Sequence, residues 1–516
     1  MSDTHEEVVR PSEIVAYTRP AGDYGEPLAL TAAMHLGWWH GSDRNPTPIG
    51  NGGGIWFASA VKGRDGCMKQ RVLREPSISR VRADFVAVAV ELDAGGDQPA
   101  DTRVILATTA DLIRFTDQAP VAMPSGTQVF QPSISAAEEA IELSWNDEHG
   151  DGWTAELELG EYSSRIADVR RGRAGRSAPV RLSDSEAERL SRWASDLQHQ
   201  SDSGFAFPFA VAHADPQIFE WNGTWYLLAT DDRNGDNIHV NSFHLRASRT
   251  VEGLASAEDL AIVGVGPAGM AGCFWAPEAH VIGGRLRILF APSIGSASWN
   301  RVECHVMTLR DGGDPANPHD WSTPEPVLRA DGSRLQPRGI SLDMTYFAVD
   351  ERHYVCWSQR TTADAIGDAG LWIATIEPQD PSRLTSAPSL ICTATHSWEV
   401  VDGANVAEGP YVIIRGSDVL MAYAAGGVGP NYATGLMRAR MGTDLLEPKS
   451  WVKSPFPILD SHSVSGQSGP GHLSFFTKGS ETFVVFHAKA NRSEPERHTG
   501  IRRVRWTPDG QPILAG

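Results

Sequence analysis

The sequence predicts an all-β fold: a five-bladed β-propeller with an additional N-terminal β-rich region. Three observations predict it. The 516 residues include 50 glycines and 16 tryptophans, the composition of a turn-rich β protein with aromatic surfaces. Five segments of the second half share one pattern, a polar or charged residue beside Pro, Gly or Met, then a turn, then a short apolar strand. These segments recur at a nearly fixed spacing, the mark of a repeat architecture.

The five segments, in order, are HADPQIFEWNGTWYLLATDD, WAPEAHVIGGRLRILFAPS, SLDMTYFAVDERHYVCWSQR, AEGPYVIIRGSDVLMAYAAG and GPGHLSFFTKGSETFVVFHAK. Their lead residues are Asp215, Glu278, Asp343, Glu408 and His472, separated by 63, 65, 65 and 64 residues (278−215, 343−278, 408−343, 472−408). Each lead residue is followed by a turn, such as Asn222-Gly223 or Gly283-Gly284, and a second apolar run. That is the signature of a hairpin. The interval to the next hairpin leaves room for two more strands, as in GLWIATIEP at Gly370–Pro378. Four strands per repeat make a propeller blade. The innermost strand of each blade lines the central channel, so equivalent positions of successive blades face one another. A lone Asp at a strand start is usually a turn or cap residue. Carboxylates and a histidine at equivalent positions are not explained by packing.

A chain of 516 residues exceeds one ordinary core, so two or more domains are expected. Residues 1–29 read as an N-terminal tail, 30–204 as a β-rich accessory region with blade-like echoes and a linking helix, and 205–516 as the propeller. The echoes are LREPSISRVRADFVAVAV (Leu73–Val90), VILATTADLIRFTD (Val104–Asp117) and Gln131-Pro132-Ser133-Ile134 followed by AIELSWND (Ala140–Asp147). GDGWTAELELG (Gly150–Gly160) adds another strand. Ser183 and Glu186 fit a capping box, and Leu190, Trp193, Ala194 and Leu197 follow at helical spacing. The stretch HQSDSGFAFPF then reads as a boundary loop.

The formal charge of −19 disfavours nucleic acid and anionic membranes and is compatible with a neutral substrate such as a sugar. No stretch approaches the ~18 consecutive apolar residues of a membrane span. The N-terminal residues show no basic segment followed by an apolar one, so no secretory signal is read and a cytoplasmic location is expected. The five cysteines are scattered and form no CxxC pair, which argues for buried thiols over a zinc site or a disulfide framework. There is no G-x-S-x-G elbow; Gly332-Ser333 and Gly416-Ser417 are loop material.

ADPQI, FWAPE, LDMTYF, AEGP and GPGH, in this order and spacing, resemble glycoside hydrolase family 43 over roughly residues 205–516. The resemblance implies a five-bladed propeller and inverting hydrolysis by three carboxylates. Asp215 would be the general base, Glu408 the general acid, and Asp343 would orient the acid and tune its pKa. Inversion needs one protonated and one ionised carboxyl, about 6.5–9.5 Å apart, and a third carboxylate beside the acid raises its pKa. Trp275 resembles a sugar-stacking aromatic, with core packing as its alternative. Phe274 would form the wall beside it. Glu278 follows the same period, with a structural role as the alternative. Arg360 would donate to sugar hydroxyls or form a surface ion pair. His472 would sit at the propeller axis, either bonded beneath the acids or reaching a structural calcium through water; calcium's preference for oxygen weighs against inferring that ion from one histidine. No cofactor is required. In the first half REPSI places Glu75 where related blades carry Asp, and FQPSI carries no acid, so no second active site is expected there.

The substrate expected is an oligosaccharide or glycoside, from which an exo-acting enzyme releases terminal furanose or pentose units. The wording of FWAPE, WSQR and EGP favours an α-L-arabinofuranosidase; a β-xylosidase or galactofuranosidase is the nearest rival. A non-catalytic glycan-binding propeller is the alternative of another class, and intact carboxylates argue against it.

Overall fold

Alternating and continuous apolar runs, punctuated by Gly and Asn-Gly turns, give strands throughout. A computed structural model of the chain describes residues 12–514 apart from 24–25, 42–44, 64–65, 95–102, 118–119, 125, 137–139, 160–163, 173–174, 199–203, 362–368, 402 and 465. The chain forms two compact units, one of residues 1–61 and 69–199 with residue 516, the other of 62–68 and 200–515.

The larger unit is the five-bladed propeller. Blade 1 comprises His213–Trp221, Thr224–Asp231 and His244–Ser248; blade 2, Met270–Ile282, Arg285–Ile294, His305–Thr308 and Glu325–Pro326. Blade 3 comprises Gly339–Val349, Arg352–Thr361 and Gly370–Glu377, with Asp380–Leu384 and Ser389–Cys392 both pairing to its third strand. Blade 4 comprises Ala407–Arg415, Asp418–Ala425, Ala433–Arg440 and Val452–Lys453; blade 5, Ser468–Lys478, Glu481–Lys489 and His498–Arg503. The first hairpin turns at Asn222 (φ 50°) and Gly223 (φ 75°). Left-handed geometry at both central residues matches the right-handed twist of the flanking strands.

Among the described residues blade 5 has three strands of its own. The chain entering blade 1 takes the fourth place: Phe209 N–H donates to Thr499 O (2.8 Å) and Thr499 N–H to Ala210 O (2.9 Å). Residues nearly 300 apart in sequence thereby lock the ring shut. Between the blades lie apolar seams, such as Ile282, Leu289, Met344, Val355 and Trp357 between blades 2 and 3.

The smaller unit holds three four-stranded antiparallel sheets. The first runs in the order Val180–Arg181, Glu13–Tyr17, His35–Trp38, Thr47–Pro48. The second is Arg71–Val81, Asp84–Asp93, Arg103–Thr109, Thr116–Asp117; the third is Phe130–Ala136, Ile141–Asn146, Gly152–Glu158, Arg165–Arg171. The segment expected to be a tail therefore contributes a strand at Glu13–Tyr17; its first 11 residues lie outside those described, as do residues 199–203 of the expected boundary loop. The helix spans Asp184–Gln198. Its capping box forms: Ser183 N–H donates to Glu186 (2.8 Å) and Glu186 N–H to Ser183 Oγ (3.4 Å). Ala187, Leu190 and Ala194 bury its apolar stripe against the first two sheets. Among the described residues no disulfide forms; four cysteines are buried and Cys67 is exposed.

Candidate active site

Every inner strand of the propeller breaks its ladder at a bulge, and the bulged residue takes positive φ: Asp215 (50°), Ala276 (47°), Asp343 (56°), Gly409 (54°) and His472 (47°). A bulge re-aims a side chain. Left-handed backbone at a non-glycine residue costs of order 1–3 kcal/mol and collects at functional sites.

The bulges correct the repeat read from the sequence. The equivalent residues are 61, 67, 66 and 63 apart (276−215, 343−276, 409−343, 472−409). Glu408 sits one residue before its bulge, in register with Trp275. Glu278 sits two residues after its bulge, in register with Gln217, Tyr411 and Ser474. Its carboxylate meets His280 (2.8 Å), and Gln217 beside it bonds the backbone of Ala279. Asp215, Asp343, Glu408 and His472 come together; Glu278 belongs to the next layer along the channel.

Asp215 is buried among donors. Thr230 Oγ1 donates to its Oδ2 (2.7 Å), and Arg497 Nη1 to its Oδ1 (3.1 Å). His472 Nδ1 lies 3.3 Å from that same oxygen, and His487 Nδ1, 3.0 Å from it, accepts from the Asp215 backbone N–H (3.1 Å). Burial opposes ionisation, but Arg497 and His472 win and hold Asp215 well below the usual carboxylate range. Arg497 is itself fixed by Asp232, through Nε (3.1 Å), Nη2 (3.0 Å) and its backbone N–H (2.7 Å).

Asp343 is buried with one donor, the Gly409 N–H (3.0 Å). Burial, with His472 opposing and the Glu408 and Asp215 charges adding, pushes it up to about 7. The sequence reading has Asp343 raise its neighbour; here Asp343 is itself raised. Glu408 accepts from the Tyr432 hydroxyl (2.7 Å) and lies 3.6 Å from Arg360 Nη2. The buried Arg360 Nε has no hydrogen-bond partner among the described residues.

His472 has the four acids Asp215, Asp343, Glu408 and Glu278 in its field; burial lowers its pKa, they raise it, and the net direction is up. Two glycines make room. A Cβ on Gly409 would lie 2.9 Å from the His472 ring, and one on Gly471 would lie 2.4 Å from the Tyr432 ring. Among the described residues, the groupings of three side chains able to hold a metal are His213–His244–Asp259 and Glu494–Glu496–His498. His472 belongs to neither, and its Nδ1 faces Asp215 and Asp343.

The aromatic pair of FWAPE divides. Trp275 is half-buried, with its indole N–H donating to Asn237 O (2.8 Å). Phe274 is corrected: its ring is fully buried, stacked on Phe290 in the blade core, and presents nothing to a substrate. Sequence reasoning missed Thr230, Tyr432, His487 and Arg497. Thr230 and His487 were within reach, because they stand on the second strands beside the lead residues: Thr230 opposes Ala214, and His487 opposes Gly471. Arg497 lies just before the outer strand of blade 5, and no periodicity marks it.

The family model for glycosyl hydrolases family 43 matches residues 208–512. An extracellular exo-α-(1→5)-L-arabinofuranosidase of Streptomyces avermitilis is 33% identical over 319 residues, 60% of this chain and 62% of that protein. The chain thus spans about three fifths of that relative's length. An enzyme of the same name from Streptomyces chartreusis is 31% identical over 290 residues, 55% of this chain and 81% of its own. The crystal structure of an α-L-arabinofuranosidase from Lactobacillus brevis superposes with a TM-score of 0.53 at 27% identity, covering 60% of this chain and 96% of that one. The two Streptomyces names overturn the cytoplasmic location expected from the N-terminal residues.

Proposed function

The chain belongs to glycosyl hydrolases family 43, and from that premise we propose that it is an exo-acting, inverting α-L-arabinofuranosidase working outside the cell. One observation carries the reading: two bulged aspartates, the neighbouring Glu408 and His472 converge from blades 1, 3, 4 and 5 on one buried point of the channel.

In this reading Asp215 is the base. Thr230 and Arg497 donate to its carboxylate and His472 stands beside it, so it is ionised and takes a proton from the attacking water as the anomeric bond breaks. Glu408 is the acid and gives its proton to the leaving oxygen; Tyr432 and Arg360 then receive the carboxylate that forms. Asp343 is a positioning residue. It accepts from the backbone N–H beside Glu408, and burial makes its own carboxyl hold a proton more tightly than an ordinary carboxylate. Trp275 is the sugar-facing aromatic. The names of the relatives support the arabinose assignment.

The test is proton NMR of the first sugar released from α-(1→5)-arabino-oligosaccharides. The expected result is single arabinose units shed from chain ends with inverted anomeric configuration. Retained configuration, or no arabinose from these oligosaccharides or from nitrophenyl α-L-arabinofuranoside, would overturn the reading.

A further inference from the structure

A second cluster of histidines has no part in that chemistry. His213 precedes Asp215 by two residues, and its Nε2 lies 2.8 Å from Nδ1 of His244, on the third strand of the same blade. Asp259 closes the group, with Oδ1 2.9 Å from His213 Nε2 and Oδ2 3.5 Å from His244 Nδ1. Both rings are buried, and the Asp259 side chain is 31% exposed.

The outer nitrogens decide what the inner ones can be. His213 Nδ1 lies 2.6 Å from the Val211 carbonyl oxygen, which can only accept, so Nδ1 carries a hydrogen. His244 Nε2 lies 3.1 Å from Asp231 Oδ2, again an acceptor. Arg233 Nη2, with two hydrogens, donates to Asp231 (2.5 Å) and also reaches that nitrogen (3.2 Å), so either His244 tautomer is served there. A neutral imidazole has one hydrogen. In neutral His213 the inner Nε2 is then a bare lone pair, facing the Asp259 Oδ1 at 2.9 Å. Either an extra proton or a cation must stand between them. Outer N–H groups bonded to a backbone carbonyl and a carboxylate are the arrangement by which metal-bound histidines are oriented.

We propose that His213, His244 and Asp259 bind a divalent transition-metal ion, zinc being the ion that two imidazole nitrogens and one carboxylate oxygen suit. Zn–N bonds of about 2.0–2.1 Å at a tetrahedral angle place two nitrogens about 3.3 Å apart. The Asp259 Oδ2 already stands at nearly that separation from His244, and the two rings need part by only about half an ångström. Arg246 holds Oδ1 of Asp259 (2.6 Å) and leaves Oδ2 for the ion. A cavity of about 480 Å³ lined by Asp231, His244 and Asp259 gives entry and room for a water as fourth ligand. The guanidiniums of Arg233 and Arg246 weaken binding, so the ion exchanges with chelators.

The cluster of Glu494, Glu496 and His498 is equally tight yet carries no such conflict. Ala212 N–H donates to His498 Nδ1 (3.0 Å), so Nε2 bears the hydrogen and gives it to Glu494 (3.0 Å). Glu496 accepts from the Asn234 N–H (2.7 Å). Protons satisfy every group, and no lone pair is left facing another.

The test titrates the full-length, chelator-treated protein with ZnCl2 by calorimetry and with CoCl2 by visible absorption. One equivalent of zinc is expected, with cobalt giving the d–d bands of a low-coordinate nitrogen–oxygen site. His244→Gln and Asp259→Asn should each weaken zinc at least tenfold, Asp231→Asn about tenfold, and Glu494→Gln not at all. Should His244→Gln fail to fold by circular dichroism, Asp259→Asn, at a partly exposed carboxylate, carries the test. No zinc uptake by the wild type, or uptake unchanged in Asp259→Asn, overturns the proposal. So does a doubly protonated ring in this cluster at neutral pH that zinc does not displace.

Discussion

Both units build their sheets on the same backbone device, and only one of them brings acids together with it. In the smaller unit Glu75 (φ 51°) and Gln131 (φ 48°) occupy ladder breaks like those of Asp215, Asp343 and His472. The link to the next sheet is also shared. Ser77, two residues after its bulge, donates to the carbonyl of Pro132, one residue after the next bulge (2.8 Å). Ser474 does the same to Pro216 (2.9 Å). The side chains then diverge. Glu75 is one-third exposed, accepts from the Gln131 N–H (2.7 Å) and has Arg74 3.8 Å away. Asp343 is buried, with two other acids in its field. A bulge aims a residue inward; the closed ring supplies the burial and the like-charged neighbours that alter its chemistry.

The sharpest way to break this comparison is to remove one acid from each unit. Glu408→Gln and Asp215→Asn should each lower kcat by about 10²–10⁴-fold, the range for a lost general acid or base. Glu75→Gln should leave kcat within about twofold, in line with a surface change. Steady-state kinetics on nitrophenyl arabinofuranoside check both. A comparable loss from Glu75→Gln would make the smaller unit part of the chemistry.

Arg497 tests what burial demands. It joins Asp215 to Asp232, all three buried. Removing one partner of a buried ion pair leaves an uncompensated charge, costing about 3–5 kcal/mol. Arg497→Met should lose that much in urea unfolding, whereas the solvent-facing pair Arg170–Glu142 of the smaller unit should lose at most about 1 kcal/mol in Arg170→Met.

Asp343 sharpens the comparison through pH. Its folded value, about 7, lies above the ordinary carboxylate value of 3.8. The folded state therefore binds this proton more tightly than the unfolded state. The associated stability is fully present below the ordinary value and is lost as pH rises through about 7. Urea midpoints of the wild type should fall relative to Asp343→Asn between about pH 4 and 7. The alkaline limb of kcat/KM should move in the same variant. Parallel midpoints would mean that Asp343 is ionised throughout.

Much of this was legible in the sequence, for identifiable reasons. Hairpins announce themselves through Asn222-Gly223 and the apolar runs around it, and the 64-residue period brought Asp215, Asp343 and His472 to one place. The register at Glu278 and Glu408 was not legible. A bulge adds one residue to one strand without changing composition, so acids at −1 and +2 look periodic while only one of them joins the site. Phe274 was misplaced for the same reason, since bulging at Cys273, Phe274 and Ala276 decides which ring of FWAPE turns inward. Arg497 and Tyr432 were invisible because they reach Asp215 and Glu408 from outside the repeat motif. The closing strand at Phe209–Ala210 was hidden too, because its pairing joins the two ends of the repeat.

The smallest predicted effect bears most directly on what the two units share. Ser77 and Ser474 make the same bond at the same position after a bulge, and both are buried. A net hydrogen bond contributes about 0.5–1.5 kcal/mol, so Ser77→Ala and Ser474→Ala should cost similar amounts if the bond acts alone. Ser474, however, joins blade 5 to blade 1, across the seam where the ring closes. If closure there is cooperative with the Ala210–Thr499 pairing, Ser474→Ala should cost more and also raise hydrogen exchange at Thr499. Equal losses with unchanged exchange at Thr499 would confine the difference between the units to the side chains their bulges present.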